Sequence, residues 1–468
     1  MSPPFTVDFE IDGRSVSLET RPDRRLLDLI REDVGITGVR EGCGGGECGA
    51  CSVLLDGRLI NSCCMPAVQM KGCNITTIDG FAKTEEFTLI ADAFAEAGAV
   101  QCGFCTPGFI MATAALLSHN PRPTDEDIRT GLSGILCRCT GYTMVIEAVK
   151  IAVEKLAAAN LQFNQQTPTS KTMKATSLSP QTIADAIRLL NQGYRPVAGG
   201  TDLIVRRHAL LKSEPKNAGT GNLFSCRQIV ETNRMYQENG RLNIGSSVSL
   251  TDIIGFPGCP PLLRKALSSI GSPGIRNAAT LAGNICNAGP AADSLPVLYM
   301  LNAKIHTSGG SGTRDISIED FITGPGRTLL QPDELVLSIC FKIPDEAAGE
   351  HGWIFKKVGT RAANALAKLS VAALWKNANN TITDFRLAIG ACAPTVIRSF
   401  EAEQLIIGST TRELEQHLPQ YLAVYGKLIR PIDDQRSTAA YRKNTALKLI
   451  EHIIKTAGNI HRNENKKW

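Results

Sequence analysis

The most informative stretch of this chain is Gly42-Cys43-Gly44-Gly45-Gly46-Glu47-Cys48-Gly49-Ala50-Cys51, followed closely by Asn61-Ser62-Cys63. The first three cysteines have the C-x4-C-x2-C spacing of a plant-type [2Fe–2S] site, and Cys63 can supply the fourth thiolate. The glycines allow the backbone to turn tightly around an inorganic core and to point its N–H groups at the sulfur atoms. The pattern therefore indicates a protein that transfers single electrons. As fourth ligand we predict Cys63, in preference to Cys64 or Cys73.

A second group of cysteines lies further along the chain. Gln101-Cys102-Gly103-Phe104-Cys105 contains a C-x2-C pair, and Cys137-Arg138-Cys139 contains a C-x-C pair. Four thiolates in two pairs fit one iron–sulfur site or one structural zinc site. Zinc stays open as the alternative, although a C-x-C pair is tight for zinc geometry and the first site favours iron.

Length and composition indicate an ordinary globular protein of several domains. The chain has 468 residues, a net charge of +5, and 43% hydrophobic and 20% charged residues. Single cores stop growing at about 250–300 residues. The charge is too small to favour nucleic-acid binding, and the longest apolar run, Phe109–Leu117, is shorter than the ~18 residues that a membrane span requires. Fifteen cysteines behind a start without a signal-peptide pattern favour metal ligation in a reducing compartment, so we expect a cytoplasmic protein.

Residue periodicity divides the chain into segments. Phe5–Ile11 and Ser15–Leu18 alternate apolar and polar residues around Asp12-Gly13, which predicts a β-hairpin. Arg25–Glu32 predicts a short helix, and Cys51–Leu55 predicts another strand. From Thr88 the period is helical. Together these patterns predict a small α+β domain over residues 1–83 and a helical bundle over residues 84–160.

Helix-start signals mark the second of these segments. Thr106 can cap a helix with Pro107 at its first position, and Thr124 with Asp127 matches a capping box before Ile128. A polar stretch over residues 161–175 predicts a linker. Beyond it, Ser179-Pro180 predicts the start of a helix, and mixed α/β patterning continues to the end of the chain.

Two loops in the second half are rich in small residues. Pro196–Asp202 follows a predicted strand, and its glycines let a phosphate approach the backbone N–H groups. By itself this loop is more typical of a plain tight turn. Gly271–Asn284 is a second such loop, and Asp293 could accept from a ribose or a flavin ring. Two such loops in one domain suit a dinucleotide held without a Rossmann helix.

Several segments together resemble the xanthine dehydrogenase and molybdenum hydroxylase family. The iron–sulfur part carries the resemblance in Arg40–Cys51, Gln101–Gly108 and Leu136–Tyr142. The second half is similar to the family's FAD subunit in Val197–Asp202, Ile275–Asn284, Ala393-Pro394-Thr395 and Arg398.

This resemblance implies a multidomain α+β fold. It implies a β-grasp, ferredoxin-like [2Fe–2S] domain over residues 1–83 and a four-helix [2Fe–2S] bundle over residues 84–160. After the linker at 161–175 it implies a PCMH-type α+β FAD-binding domain over residues 176–346. A C-terminal α+β flavoprotein domain, like that of CO dehydrogenase, would occupy residues 347–468.

The resemblance also implies cofactors and site residues. Two [2Fe–2S] clusters would be held by Cys43, Cys48, Cys51 and Cys63, and by Cys102, Cys105, Cys137 and Cys139. The implied FAD-binding residues are Val197, Ala198, Gly199, Gly200, Thr201, Asp202, Ala279, Thr280, Gly283, Asn284 and Asp293. Gln101 would lie against a molybdopterin on a partner chain. Electrons would pass from molybdenum to the second cysteine set, to the first, and then to FAD.

The remaining implication concerns partners and substrate. The domains leave no room for a molybdenum domain, so the substrate site is expected on a large subunit, in a heterotetramer of two small and two large subunits. NAD or another acceptor would reoxidise the flavin. Xanthine or another purine is the first expectation, with aldehyde, nicotinate or CO as alternatives. A non-catalytic, zinc-stabilised scaffold is the alternative from a different class.

Overall fold

The computed structural model describes residues 5–161, 163, 178–213, 221–344 and 350–458. Almost all of the predicted linker at 161–175 lies outside this range. The chain forms two compact units. The first comprises Met1–Asn233, Ser249–Asp252 and Gly271–Thr280, and the second comprises Arg234–Val248, Ile253–Ile270 and Leu281–Trp468.

The first unit begins with a five-stranded sheet in the order β2-β1-β5-β3-β4. The strands are β1 (Phe5–Ile11), β2 (Arg14–Thr20), β3 (Ser52–Leu55), β4 (Arg58–Asn61) and β5 (Asn74–Thr76). β1 and β2 pair antiparallel around Asp12 and Gly13, which both have positive φ, as this tight turn requires. β1 and β5 are parallel. The predicted hairpin is therefore confirmed.

Short helical segments cover this sheet. The predicted helix at Arg25–Glu32 is a turn of α-helix, Leu26–Asp28, continued as a π-helical turn, Leu29–Asp33. This helical segment contributes three fully buried side chains, Leu26, Leu27 and Ile30. The 3₁₀ turns Ser62–Cys64 and Ala67–Gln69 follow β4.

The next segment is helical, as predicted. Its helices are Ile78–Phe81, Glu85–Glu96, Thr106–His119, Asp125–Leu132 and Thr143–Ala158. Thr124 and Asp127 form the predicted capping box, with Thr124 Oγ1 accepting from the Asp127 N–H and the Asp127 carboxylate accepting from the Thr124 N–H. The predicted cap at Thr106 is wrong by one residue. The helix begins at Thr106, and Cys105 is its N-cap without a side-chain hydrogen bond.

The remainder of the first unit forms a small α/β layer. Its elements are the helices Ile183–Asn191, Leu203–Ser213 and Pro273–Arg276, with the parallel strands β6 (Arg195–Val197) and β7 (Leu223–Ser225). The helix predicted to start at Ser179-Pro180 starts later, because Thr182 Oγ1 accepts from the Asp185 N–H and caps it there.

The second unit is built on two antiparallel sheets. One has the order β11-β10-β14-β9-β8, with β8 (Met235–Glu238), β9 (Arg241–Gly245), β10 (Lys304–Gly309), β11 (Gly312–Ser317) and β14 (Leu335–Lys342). The short strands β12 (Ile322–Gly324) and β13 (Arg327–Thr328) form a separate pair. The other sheet runs in sequence order through β15 (Glu350–Val358), β16 (Leu369–Ala378), β17 (Thr381–Gly390) and β18 (Ile397–Arg398).

Helices complete the second unit. They are Pro261–Ser268, Leu281–Cys286, Ser294–Met300, Ile318–Phe321, Phe400–Ile406, Thr411–Leu428 and Ala439–Gly458, while Leu250–Gly255 is divided between the units. Tyr421 and Tyr425, both fully buried, pack with Phe385 of β17 in the core beneath the last sheet. Within the described ranges no helix has the length and apolar character that crossing a lipid bilayer demands.

Candidate iron–sulfur and flavin sites

The first cysteine loop wraps its backbone around sulfur atoms. Cys43 Sγ accepts the N–H groups of Gly45 and Glu47 at 3.3 and 3.4 Å, and Cys48 Sγ accepts the Cys43 N–H at 3.2 Å. Gly44, Gly46 and Gly49 have φ of 65°, 78° and 65°, in the left-handed region that glycine enters without strain. The N–H···S contacts predicted from the glycine-rich sequence are therefore present in the structure.

The four predicted sulfurs of this site lie in pairs. Cys43 is hydrogen-bonded to Cys48, and Cys51 to Cys63. The Cys48 thiol lowers the pKa of Cys43 to about 4 by this hydrogen bond, while the pKa of Cys48 is raised. The lowered pKa of Cys43 favours its thiolate, the form that binds metal.

Cys64 and Cys73 are the alternatives to Cys63 as the fourth ligand. Cys64 Sγ is 3.6 Å from Cys63 Sγ and is equally buried, so the choice of Cys63 stays a prediction. Cys73 is engaged elsewhere, since its thiol donates to the Gln69 carbonyl at 3.4 Å and accepts from Arg227 at 3.4 Å.

The second cysteine site lies at helix ends and also holds two pairs. Cys102 and Cys139 have their sulfurs 3.7 Å apart, and Cys105 is hydrogen-bonded to Cys137. Burial opposes ionisation of Cys137, but hydrogen bonds from the Thr140 hydroxyl and from backbone N–H groups lower its pKa to about 7. Cys102 and Cys139 are exposed.

Paired sulfurs fit a binuclear cluster. A tetrahedral metal that binds thiolates at about 2.3 Å holds two of them roughly 3.7 Å apart. Within the parts of the chain that the structure describes, no three His, Cys, Asp or Glu side chains converge on one point as a single metal ion would need. The 3.7 Å between the Cys102 and Cys139 sulfurs fits two thiolates on one tetrahedral metal, as each iron of a [2Fe–2S] cluster requires. Each cluster would store and release one electron at a time.

A hydrogen bond joins the two cysteine sites. The Leu136 N–H donates to the Cys48 carbonyl at 3.0 Å, and Leu136 immediately precedes Cys137. The backbones around this bond are in close contact, because a Cβ atom at Gly49 would lie 2.5 Å from the Gly134 carbonyl oxygen, and one at Gly108 would lie 2.6 Å from the Gly49 carbonyl oxygen. Only glycine fits at these two positions.

The first unit brings part of the predicted FAD site together. The loop Val197–Asp202 packs against the backbone of Ala278-Ala279, since a Cβ atom at Gly199 would lie 2.8 Å from the Ala279 Cα. Thr280 adjoins this contact. The helix Leu203–Ser213 begins directly after Asp202, and the Ile204 N–H donates to the Gly200 carbonyl at 2.9 Å, which joins the loop to the first turn of the helix. Asp202 itself is paired with Arg206 at 2.7 Å.

The second unit holds the other predicted FAD residues. Gly283 and Asn284 lie on the helix Leu281–Cys286, and Asn284 Oδ1 accepts from the Ser294 hydroxyl at 2.6 Å. Asp293 is 5% exposed, and burial raises its pKa to about 6 against the opposing effect of Lys357. Lys357 Nζ donates to Asp293 Oδ2 at 2.6 Å, while Asp293 Oδ1 has no protein partner among the described residues. A buried, unpartnered acceptor suits a ligand hydroxyl or N–H group.

Sequence reasoning missed Lys357, which lies on β15 and is far along the chain from both small-residue loops. Only its three-dimensional pairing with Asp293 marks it as part of this site. Arg398, which lies in a segment similar to the family's FAD subunit, makes several hydrogen bonds within the second unit. It donates to both carboxylate oxygens of Glu403 and to the Tyr299 carbonyl. Gln101 is exposed beside Cys102.

Comparisons with known proteins give the class of this chain. Residues 9–71 match a 2Fe-2S iron-sulfur cluster binding domain, and residues 77–150 match a [2Fe-2S] binding domain. Residues 172–345 match the FAD binding domain in molybdopterin dehydrogenase, and residues 353–457 match the CO dehydrogenase flavoprotein C-terminal domain. The chain is therefore an iron–sulfur flavoprotein with two [2Fe–2S] clusters and FAD as its cofactors.

Relatives narrow this class to a family. The chain is 50% identical over 153 residues to the nicotinate dehydrogenase small FeS subunit of Eubacterium barkeri, covering 33% of this chain and 98% of that protein. It is 47% identical to the xanthine dehydrogenase iron-sulfur-binding subunit of Escherichia coli O157:H7, covering 31% of this chain and 92% of that subunit. The chain belongs to the molybdenum hydroxylase family, as an electron-transfer subunit in which iron–sulfur and FAD-binding domains are fused.

Longer relatives and solved structures agree with this assignment. Xanthine dehydrogenase/oxidase of Gallus gallus is 25% identical over 88% of this chain, and the chain spans 37% of that protein's length. A crystal structure of Cu,Mo-CO dehydrogenase matches 60% of this chain and 96% of its own with a TM-score of 0.53 at 24% identity, which shows a shared fold. The predicted fold class is confirmed, whereas the predicted domain boundaries stay predictions.

Proposed function

We propose that this chain receives electrons from a molybdenum cofactor on a partner subunit and delivers them to FAD, which reduces NAD or another acceptor. Cys102, Cys105, Cys137 and Cys139 would hold the cluster that receives the electrons. Cys43, Cys48, Cys51 and Cys63 would hold the relay cluster, and the FAD-binding residues named above would hold the flavin. A flavin suits the last position, because it accepts single electrons and can release a hydride.

The hydrogen bond between Leu136 N–H and the Cys48 carbonyl carries this proposal. It connects a residue adjacent to one predicted ligand, Cys137, with another predicted ligand, Cys48. The glycines at 49 and 108 allow the backbones to approach closely around it. Two cluster sites joined by one hydrogen bond are expected in a relay, whereas unconnected structural metal sites would need no such joint.

The exposed surface around the second site supports a partner subunit there. Two of its cysteines, Cys102 and Cys139, are exposed, and so are five large apolar side chains from the same part of the chain. These are Val100, Phe104, Leu136, Tyr142 and Met144. Arg40 stacks on the Phe104 ring at 5.5 Å. Apolar residues near an exposed redox site are typical of an interface, and Gln101 is also exposed, as a contact with the molybdopterin would require.

The substrate that we propose is xanthine or another purine, oxidised on the partner subunit. The iron–sulfur subunit of Escherichia coli xanthine dehydrogenase supports it. Nicotinate is the second candidate, supported by the 50% identity to the nicotinate dehydrogenase subunit. We further propose a cytoplasmic heterotetramer of two small and two large subunits.

Metal and flavin analysis tests the cofactor assignment. The purified chain should contain about four iron atoms, as two [2Fe–2S] clusters require, and one FAD. A colourless chain that contains zinc would refute the proposal and favour a scaffold.

Leu136 provides a sharper test of the relay. Leu136→Pro removes the N–H donor, whereas Leu136→Ala keeps it and serves as the control. In the assembly with the large subunit, xanthine should reduce the second cluster at the same rate in Leu136→Pro as in Leu136→Ala, and the first cluster more slowly in Leu136→Pro. Equal first-cluster rates in both variants, with full iron content, would exclude this hydrogen bond as the route. Reduction by nicotinate and not by xanthine would replace the purine with the second candidate.

A further inference from the structure

A buried side chain of the ferredoxin-like part binds the predicted flavin loop. Gln69, 3% exposed, lies in the turn Ala67–Gln69 that follows Cys63. Its Nε2 donates to the Val197 carbonyl at 3.3 Å and also to the Ala198 carbonyl. Val197 and Ala198 begin the flavin loop, which we define as Val197–Asp202. A side chain next to one cofactor site thus binds the backbone of the other.

The backbone reinforces this contact. A Cβ atom at Gly200 would lie 2.9 Å from Pro66 Cδ and 3.4 Å from the Cys64 carbonyl oxygen, and Gly200 has φ of 75°. The flavin loop is therefore seated on the segment Cys64–Gln69, while Gly199 contacts Ala278-Ala279 on the loop's other flank. Cys64 is the residue next to Cys63. The segment that supports the flavin loop therefore begins directly after a predicted cluster ligand.

The peptide geometry explains what Gln69 can control. In a trans peptide the C=O and N–H groups point in opposite directions. When Gln69 holds the Ala198 carbonyl, the N–H of Gly199 in the same peptide plane must point away from Gln69. The Val197 carbonyl, which accepts from both Gln69 Nε2 and the Cys226 N–H, fixes the N–H of Ala198 in the same way. Two backbone donors are thereby turned together toward one side, as binding of a diphosphate oxygen requires.

We propose that Gln69 is a positioning residue that holds the flavin loop in its FAD-binding conformation and fixes its distance from the first cluster. The inference rests on the proposed function, because it takes Val197–Asp202 as an FAD-binding loop. It adds to that function a residue from the iron–sulfur half of the chain. Gln69 reaches FAD only through the loop and has no role in holding iron.

The test uses the full chain and two substitutions at Gln69. Gln69→Leu keeps much of the volume but removes the donor, and Gln69→Glu keeps the shape but places a carboxylate against two carbonyl oxygens. We expect the FAD dissociation constant, measured by flavin fluorescence, to rise about tenfold for Gln69→Leu and further for Gln69→Glu, because the Ala198 carbonyl loses the Gln69 donor while the Val197 carbonyl keeps only the Cys226 N–H. Iron content and both cluster EPR signals should stay those of the wild type.

Two further variants make the outcome decisive. Gln228→Leu is the matched control, since the Gln228 amide oxygen is buried without a partner among the described residues, and FAD binding should be unchanged. Gly199→Ala tests the loop itself, because the added Cβ meets Ala278-Ala279. If Gly199→Ala weakens FAD binding and Gln69→Leu does not, the role of Gln69 is wrong and the loop assignment stands. If neither changes FAD affinity, the loop assignment is wrong. Loss of iron from Gln69→Leu would show a merely structural role and also overturn the proposal.

Discussion

The two cysteine sites of the first unit use different architectures for the same kind of cluster. The first has three predicted ligands in one glycine-rich loop and the fourth in the turn Ser62–Cys64, and two of these four cysteines are buried. The second takes its ligands from two helix ends that are far apart in sequence, and two of its four cysteines are exposed. The first site is defined by local backbone geometry and the second by packing of helices.

This difference matches the positions that the sites would have in a relay. A cluster that exchanges electrons with neighbours inside the chain gains from a closed loop whose N–H groups face its sulfurs. A cluster that receives electrons from a partner must remain at the surface until the partner covers it. The exposed apolar residues around Cys102 and Cys139 fit the second case, and the buried Cys51 and Cys63 fit the first.

The largest difference between the two sites is expected when one predicted ligand is removed from one of them. Cys63→Ser should abolish the first cluster's EPR signal and reduce iron to about two atoms per chain, while the second signal persists. Cys64→Ser is the control and should leave both signals. Loss of a signal from Cys64→Ser alone would assign the fourth ligand to Cys64.

Substitution of two glycines by alanine distinguishes the energetic cost of close packing from that of backbone strain. Gly49 and Gly103 lie next to ligands of the first and second sites, with φ of 65° and 75°. Gly49→Ala should cost about 3 kcal/mol, because the Cβ meets the Gly134 carbonyl in addition to the left-handed strain. Gly103→Ala should cost only about 1 kcal/mol, since nothing lies closer than 4.0 Å. Denaturant unfolding followed by cluster absorbance measures both, and equal costs would contradict the packing argument.

The rate at which a chelator removes iron should also differ between the two cysteine sites, because they differ in exposure. In the isolated chain, an iron chelator should remove the second cluster several-fold faster than the first, because Cys102 and Cys139 are exposed whereas Cys51 and Cys63 are buried. The loss of each EPR signal over time measures this. Addition of the large subunit should slow loss from the second site selectively; slowing at both sites alike would argue against a partner seated there.

A smaller effect is expected from the helix that leads into Cys137. Thr124→Ala removes the cap of Asp125–Leu132 and should lower the free energy of unfolding by about 1 kcal/mol. The second cluster's thermal loss should then occur at a lower temperature than in the wild type, with the first cluster unaffected. An equal shift for both clusters would show that the sites do not unfold independently.

The smallest effect is a pH dependence of the same cap. Hydrogen bonds from Thr124 lower the pKa of Asp127 below its ordinary value of about 4. A depressed carboxylate pKa stabilises the fold above the unfolded-state pKa, and this contribution is lost as pH falls through the folded-state pKa. Asp127→Asn should therefore flatten the acid limb of the stability curve. If stability at low pH depended on pH in the same way for Asp127→Asn and the wild type, the Asp127 carboxylate would not contribute to the pH dependence of stability.

Local features of this molecule were predictable from sequence, and distant contacts were not. The cysteine spacing and the Thr124 capping box each depend on a few neighbouring residues, so the pattern itself contains the geometry. Gln69 and Val197 are 128 positions apart, and Lys357 and Asp293 are 64 apart. No periodicity links such residues, because only the packed fold brings them together. The cap predicted at Thr106 is wrong by one residue, because Thr106 is the first residue of the helix and Cys105 is its N-cap.

The hydrogen bond between the Leu136 N–H and the Cys48 carbonyl also allows the contact between the two cysteine sites to be followed by hydrogen exchange. An amide proton held by a carbonyl exchanges with deuterium only when the surrounding structure opens. The Leu136 proton should therefore exchange slowly while the two cysteine sites are held together, and rapidly whenever they separate. Its exchange rate, followed as each cluster is loaded or stripped, would measure how often the connection between the sites is broken in the working protein.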